Sequence, residues 1–231
     1  MQSGLQGYIS KTNCGQMKLF QSVFVRFFIV GLITLGFMIY AYTILNPEKT
    51  DTELLPVYGP LNEDSTDHTI ASFSFIDQEG KKVTEEDVNG KIYIADFFFT
   101  TCQGICPIMS GQMQRVYEHY KGDDRIHFLS HSVKPVEDSV PVLAAYAKEH
   151  GADAKQWQFL TGDKKELYEM ARKSYLVSVT EGNGGPEDFV HTQFFALVDP
   201  ERRIRGFYDG TDSTEVNKLI DDIHVLLGET H

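Results

Sequence analysis

Hydrophobic and polar positions divide the chain into a long apolar run, a polar connector and a region of short alternating patterns. From Phe27 to Leu45 nineteen residues carry no charge, enough at about 1.5 Å per residue to cross a hydrocarbon core about 30 Å thick. Residues 46–66 contain three prolines and several acidic residues without a sustained period, which is typical of a tether. The pattern predicts an N-terminal segment over 1–26, a transmembrane helix over 27–45, a tether over 46–66 and one domain over 67–231.

Within the domain, strand-like and helix-like periods alternate. Strands are predicted at 71–76, 91–99, 125–133, 190–199 and 203–208, and helices at 84–90, 106–120, 138–150, 164–175 and 213–228. Residues 157–162 are a segment without an assigned type between two of these helices. The first part of this order predicts βαβ units with parallel strands, and the last two strands predict a hairpin followed by a helix. This is the order of a thioredoxin-like α/β fold, in which helices flank a central mixed sheet.

Charge is distributed unevenly around the apolar run. Lys11, Lys18 and Arg26 precede the run without any acidic residue, whereas the rest of the chain has 18 basic against 33 acidic residues, a net charge of about −15. The positive-inside rule predicts that residues 1–26 are cytoplasmic and that the domain lies on the periplasmic side of a bacterial-type inner membrane. A cleaved signal peptide is the alternative, but the run is longer than a usual signal core and no small-x-small cleavage site follows it.

The acidic domain also restricts the partners. A net charge of about −15 repels phosphate backbones. We therefore expect no nucleic-acid partner.

The candidate chemistry lies with the cysteines, of which the chain has three. Cys14 lies on the predicted cytoplasmic side, whereas Cys102 and Cys106 follow a predicted buried strand and begin a helix. The positive end of a helix dipole lowers a thiol pKa and favours thiolate, the form that binds metal. Two thiolates are soft ligands that suit Cu(I) or Zn. The pair is therefore predicted to be metal-binding or redox-active.

Two alternatives for these soft donors carry less weight. A structural disulfide between Cys102 and Cys106 would close only three intervening residues and contribute little stability. Met109 and Met113 are also soft donors, but their helical spacing favours the core.

His191 is the candidate for a third ligand. It begins the first predicted hairpin strand, which in a thioredoxin-like fold pairs beside the cysteine strand, and a glycine-rich loop precedes it. Spacing alone favours a surface histidine or a hydrogen-bonded core histidine over a metal ligand. The predicted topology makes the ligand role as well supported as that alternative.

The segments around these residues resemble one family. Residues 97–113, 131–147, 157–162 and 188–211, together with one N-terminal anchor, are similar to the Sco family (SenC), copper chaperones of cytochrome c oxidase assembly. The match covers roughly residues 66–227. The resemblance implies that Cys102, Cys106 and His191 bind Cu(I) or Cu(II). It also implies that a copper donor protein loads the chain, which delivers copper to the CuA centre of the oxidase copper subunit.

Three segments depart from the family pattern. Gln103-Gly104-Ile105 replaces the usual Pro-Asp-Val between the cysteines, Lys134 replaces an aspartate before Pro135, and Val190 replaces an aspartate before the histidine. The three predicted ligands are retained, but the carboxylates expected around them are not.

Two other functions fit the same residues. A thiol-disulfide oxidoreductase would cycle Cys102 and Cys106 through a disulfide and act on exported or oxidase copper-site cysteines. A peroxidase would need an arginine beside its cysteine, and residues 100–107 contain none. The chaperone is the preferred hypothesis, and the oxidoreductase is the alternative.

Overall fold

The computed structural model describes residues 25–42, 54–62, 64–178, 182–185 and 187–229. One helix in these ranges, α1 (Val25–Tyr42), is long and apolar enough to cross a membrane, with a mean hydropathy of 1.8. Residues 1–24, with Cys14, lie outside the described part, as do residues 43–53, which are the end of the predicted transmembrane helix and the first part of the predicted tether. The assignment of residues 1–26 to the cytoplasm stays a prediction.

The domain contains seven strands and four α-helices among the described residues. The strands are β1 (Ser74–Ile76), β2 (Lys82–Thr84), β3 (Ile92–Phe98), β4 (Ile126–Ser132), β5 (Trp157–Leu160), β6 (Phe194–Val198) and β7 (Ile204–Asp209). The helices are α2 (Cys106–Tyr120), α3 (Val140–Glu149), α4 (Lys164–Glu169) and α5 (Ser213–Glu229), with a π-helical turn at Met170–Ser174.

Five strands form the central sheet in the order β5-β4-β3-β6-β7. β3, β4 and β5 are parallel, β6 is antiparallel to β3, and β7 is antiparallel to β6. All seven residues of β3 and of β4 are buried, as expected for central strands covered on both faces. The sheet is mixed and flanked by helices, which confirms the predicted thioredoxin-like fold.

The core lies in two layers, one on each face of the sheet. Buried residues of α2, α3 and α5 pack on one face, and residues of the β1-β2 hairpin, α4 and the π-helical turn pack on the other. On α2, the buried positions Met109, Met113, Val116 and Tyr117 recur every three or four residues, the period of one helix face. The two methionines are therefore core residues, as predicted.

Three predicted elements differ from the structure. Residues 82–84, for which no strand is predicted, form β2, which pairs with β1. The predicted helix at 84–90 is only a 3₁₀ turn at Glu85–Asp87. The first hairpin strand begins at Phe194 rather than at residue 190, so His191 lies in the loop before the strand. Each of these segments is three to five residues long, and at that length tertiary pairing overrides a local period.

The end of the predicted tether contacts the domain. The Tyr58 N–H donates to Ile204 O at 2.8 Å, and the buried Arg205 donates to Leu55 O at 2.6 Å. Arg205 also pairs with Glu229 at 3.0 Å. Residues 55–58 therefore lie along β7 and the end of α5.

Candidate functional site

The two predicted cysteine ligands lie where β3 ends and α2 begins. The Cys102 N–H donates to Phe99 O at 3.2 Å, which turns the chain back after the strand. Cys106 is the first residue of α2, and Pro107 occupies its first turn, where no N–H is required. Both cysteines are free thiols; Cys102 is half-buried and Cys106 is only 4% exposed. The loop thus presents one accessible thiol above a second that lies in the core.

The thiols of Cys102 and Cys106 are electrostatically different. Burial raises the pKa of Cys102, but hydrogen bonds from the Cys106 thiol and from the N–H groups of Cys106, Gly104 and Ile105 outweigh it, so the pKa is lowered. Burial, and then the bond to Cys102, raises the pKa of Cys106. Of the two thiols, Cys102 therefore gives up its proton more readily, and Cys106 holds its proton longer.

A buried carboxylate lies on the face of β3 that packs against α2, α3 and α5. Asp96 is 1% exposed and accepts a hydrogen bond of 2.5 Å from Ser130, which in turn accepts from the Trp157 indole N–H at 2.9 Å. Burial raises the pKa of Asp96 to about 7, and its negative charge contributes to the raised pKa of Cys106. Sequence reasoning missed this residue, although a charge inside the apolar run 92–99 is a detectable signal.

A second buried carboxylate supports the start of the cysteine loop. Asp138 is 1% exposed and accepts hydrogen bonds from Thr100 Oγ1 at 2.6 Å and from Ser132 Oγ at 2.5 Å. The Thr100 N–H also points to it at 3.3 Å. Asp138 therefore ties the end of β4 to the residue that leads into Cys102, a role for which the sequence gives no signal.

His191 is exposed and lies in the loop that leads into β6. Its ring is 6.3 Å from the Phe189 ring, and Phe189 packs edge-on against Phe99 at 5.7 Å between centroids. β6 pairs with β3 in a register that includes Ala95 opposite Ala196. The predicted hairpin strand therefore pairs beside the cysteine strand, but His191 lies in the loop before its first residue, Phe194.

The predicted ligands are only partly brought together. In the described part of the chain, no three His, Cys, Asp or Glu side chains converge closely enough to hold a metal ion. Cys102 and Cys106 are in hydrogen-bond contact, whereas His191 lines an open cleft of about 550 Å³ with Phe194 and Phe207. Binding of a metal by all three residues therefore requires the His191 imidazole and the two thiols to come closer together than they are in this structure.

His131 is unsuited to replace His191. It is fully buried on the face of the sheet opposite Asp96, stacked on Phe97 at 4.8 Å. Burial lowers its pKa to about 4. A neutral ring enclosed in the core has no path to a metal held at Cys102.

The substituted family positions have different environments. Val190 is 1% exposed and packs in the core layer of the π-helical turn, so a carboxylate at this position would be buried. Lys134 Nζ lies 4.7 Å from the Phe99 ring centroid and 3.1 Å from Glu137. A cation thus stands beside the cysteine loop where a carboxylate is usual.

The family model SCO1/SenC matches residues 62–228. The chain belongs to the SCO1/SenC family. It is 31% identical to the SCO1 protein homolog of Bacillus subtilis (strain 168) over 167 residues, which cover 71% of this chain and 86% of that protein. The resemblance inferred from the cysteine, histidine and surrounding segments is confirmed.

Solved structures of the SCO1/SenC family share the fold. BsSco, a member of the Sco family of cytochrome c oxidase assembly proteins in which a disulfide switch was identified, is 32% identical with a TM-score of 0.59; the match covers 74% of this chain and 96% of BsSco. Arabidopsis thaliana ScoI with copper bound is 28% identical with a TM-score of 0.54, covering 68% and 98% of the two chains. Relatives of this chain thus include one with bound copper and one with a disulfide switch.

Proposed function

We propose that the chain is a membrane-anchored copper chaperone that binds Cu(I) or Cu(II) through Cys102, Cys106 and His191. The observation that carries the proposal is the pair of contacting free thiols at the start of α2, one accessible and one buried. Soft thiolates favour Cu(I), and an imidazole adds affinity for Cu(II). Membership of a family that includes a copper-bound ScoI adds support.

The acceptor in this proposal is the copper subunit of a cytochrome c oxidase, at its CuA centre, and a copper donor protein loads the chain. BsSco is described as a member of a family of oxidase assembly proteins. Two thiolates and one imidazole leave a low-coordinate metal open to attack by an incoming ligand. Such a site suits transfer better than storage.

The chain's own groups define the steps of loading. Cys102 is the first ligand because its thiol gives up a proton more readily than that of Cys106 and is half-buried rather than enclosed. Copper then displaces the proton from Cys106, which leaves two thiolates on the metal. The His191 imidazole joins last, since it lies on a separate segment.

Anchoring belongs to the same proposal. α1 is long and apolar enough to cross a membrane. Lys11 and Lys18 precede it and Arg26 is its second residue, so we propose a single pass that places the domain on the periplasmic side. This is also the side on which exported thiols meet oxidants and metal acceptors.

Copper transfer tests the proposal. The detergent-solubilised full chain, carrying Cys14→Ser so that only the site thiols remain, should take up about one Cu(I). Mixed with the reduced, metal-free copper domain of an oxidase, it should lose that copper to the acceptor, measured by metal analysis after separation. Retention of copper on the chain at equilibrium would contradict delivery.

A thiol-disulfide oxidoreductase is the second candidate, favoured by the opposite pKa shifts of Cys102 and Cys106. The Cys102 thiolate attacks an acceptor disulfide and releases one acceptor thiolate. Cys106 then loses its proton, attacks the mixed disulfide and releases the second, so two electrons pass to the acceptor. Repeating the transfer assay with the oxidised copper domain separates the two functions, because only this activity would reduce it.

Replacing His191 by alanine should weaken Cu(II) binding more than Cu(I) binding. Cu(II) prefers nitrogen donors, so loss of the imidazole should lower Cu(II) affinity. Residues that only orient a ligand contribute roughly 10–100-fold to metal affinity, and loss of the ligand itself should cost at least as much. The two thiolates should retain Cu(I). Competition titrations for both ions measure this, with the exposed His224 on α5 changed to alanine as the matched control. Equal Cu(II) affinity in His191→Ala and wild type would remove His191 from the ligand set.

A further inference from the structure

The loop that carries His191 is anchored by an ion pair that includes neither cysteine. Arg172, in the π-helical turn, donates two hydrogen bonds to the Asp188 carboxylate, at 2.8 Å to one oxygen and 2.5 Å to the other. The two side chains are 11% and 6% exposed. A two-bond, largely buried Arg–carboxylate pair fixes orientation as well as distance.

The loop backbone is built around the same carboxylate. The Gly184 N–H donates to Asp188 at 2.7 Å. Gly184 has φ +75, and a Cβ there would lie 2.9 Å from the Lys165 backbone, so glycine is required at this turn. Lys164 Nζ reaches the backbone oxygens of Gly185 and Asp188 at 2.8 and 2.9 Å. Asp188 is thus held through both its side chain and its main chain.

The three residues after Asp188 lead directly to the candidate ligand. Phe189 packs against Phe99 at the base of the cysteine loop, and Val190 is buried in the core. His191 follows and is exposed. Because Asp188 is fixed and Val190 is buried, the His191 side chain is directed toward solvent. A loss of the anchor would free a segment of four residues that ends at the imidazole.

We infer that Arg172 and Asp188 are a positioning pair for His191, which limits the loop to conformations from which the imidazole can reach copper held by the two thiolates. The inference rests on the proposed copper site. Neither residue touches the metal in this scheme. The hydrogen bond from Arg172 also lowers the pKa of Asp188 to about 2, so the pair is fully charged at any pH at which copper is handled.

The test compares Cu(II) and Cu(I) affinities of the full chain in detergent for wild type, Asp188→Asn, Arg172→Lys and His191→Ala. Asp188→Asn should weaken Cu(II) binding by about 10–100-fold, the range for residues that orient a ligand. Its Cu(I) affinity should stay within about threefold, because the thiolates are untouched. The Cu(II) spectrum should shift toward that of His191→Ala. Arg172→Lys should have a smaller effect of the same kind, since lysine cannot form the two-bond contact.

The matched control is a second Arg–Asp pair far from the loop. Arg125 contacts Asp123 through bonds of 2.9 and 2.7 Å in the turn after α2. Asp123→Asn should leave both copper affinities unchanged. In Asp188→Asn/His191→Ala, the Cu(II) loss should equal that of His191→Ala alone, because a positioning residue has no effect once its ligand is gone.

Three results would overturn or redirect the inference. Wild-type Cu(II) affinity and spectrum in a folded Asp188→Asn, whatever its melting temperature, would leave the pair a structural contact only. Additive losses in the double variant would show that Asp188 acts independently of His191. If Asp188→Asn fails to fold, Arg172→Lys decides the question. Equal Cu(II) binding by wild type and His191→Ala would instead refute the proposed ligand set.

Discussion

Replacing Cys102 and Cys106 together by serine should abolish copper binding by the chain. The pair supplies both soft ligands, and a serine hydroxyl is not ionised near neutral pH and does not bind Cu(I) appreciably. Bound Cu(I) should fall from about one to below about 0.1 per chain. Metal analysis of the full chain after loading under reducing conditions measures this, with Cys14→Ser as the control that keeps both site thiols.

The single variants Cys102→Ser and Cys106→Ser should differ from each other in stability, whereas their copper contents should be alike. Cys102 is half-buried, so Cys102→Ser should melt close to wild type. Cys106 packs in the core at 4% exposure, so Cys106→Ser places a hydroxyl among apolar neighbours and should cost about 1–3 kcal/mol. A double variant that still holds one copper per chain while melting cooperatively would place the metal elsewhere.

The elements that the sequence predicted well are those with long, regular periods. The buried run of β3, the spacing of α2 and the hairpin of β6 and β7 all carry such periods. The cysteine pair was recognisable because both residues lie at one strand-to-helix junction. β2 was missed because three residues hold no period, and its strand conformation comes from pairing with β1.

The supporting residues of the site could not be predicted for a different reason. Asp138 acts on Thr100, 38 residues away, and Asp188 acts on Arg172, 16 residues away. Lone acidic residues in turns are most often solvated, so nothing in their local pattern indicates a buried role. Asp96 was the exception, since it interrupts an apolar strand. These contacts become visible only when the fold brings the segments together.

The same contacts explain why the three proposed ligands differ in how firmly they are placed. The cysteine loop is fixed on one side by Asp138 and on the other by the first turn of α2. The His191 loop has Asp188 and Phe189 as anchors but leaves the imidazole in an open cleft. A rigid pair of thiols with one adjustable nitrogen ligand suits a carrier that must both hold and release its metal.

Changing Asp138 to alanine should destabilise the domain and loosen the cysteine loop. The substitution removes a buried acceptor and leaves the hydroxyls of Ser132 and Thr100 without their partner, at a cost of about 2–4 kcal/mol. For a chain of this size the melting temperature should fall by roughly 5–15 °C. Asp138→Asn keeps one acceptor oxygen and should lose about half as much.

Loop mobility is the more specific consequence, because Thr100 leads directly into Cys102. In Asp138→Ala, at a temperature where the chain is still folded, alkylation of Cys102 should accelerate severalfold. The reason is that opening of the cysteine loop no longer requires the hydrogen bond between Thr100 and Asp138 to break. The exposed Asp124 changed to alanine is the control and should stay within about 0.5 kcal/mol of wild type. A melting temperature within about 2 °C of wild type and an unchanged Cys102 alkylation rate would show that Asp138 does not hold the loop. A large fall in melting temperature without faster alkylation would confine Asp138 to stabilising the end of β4.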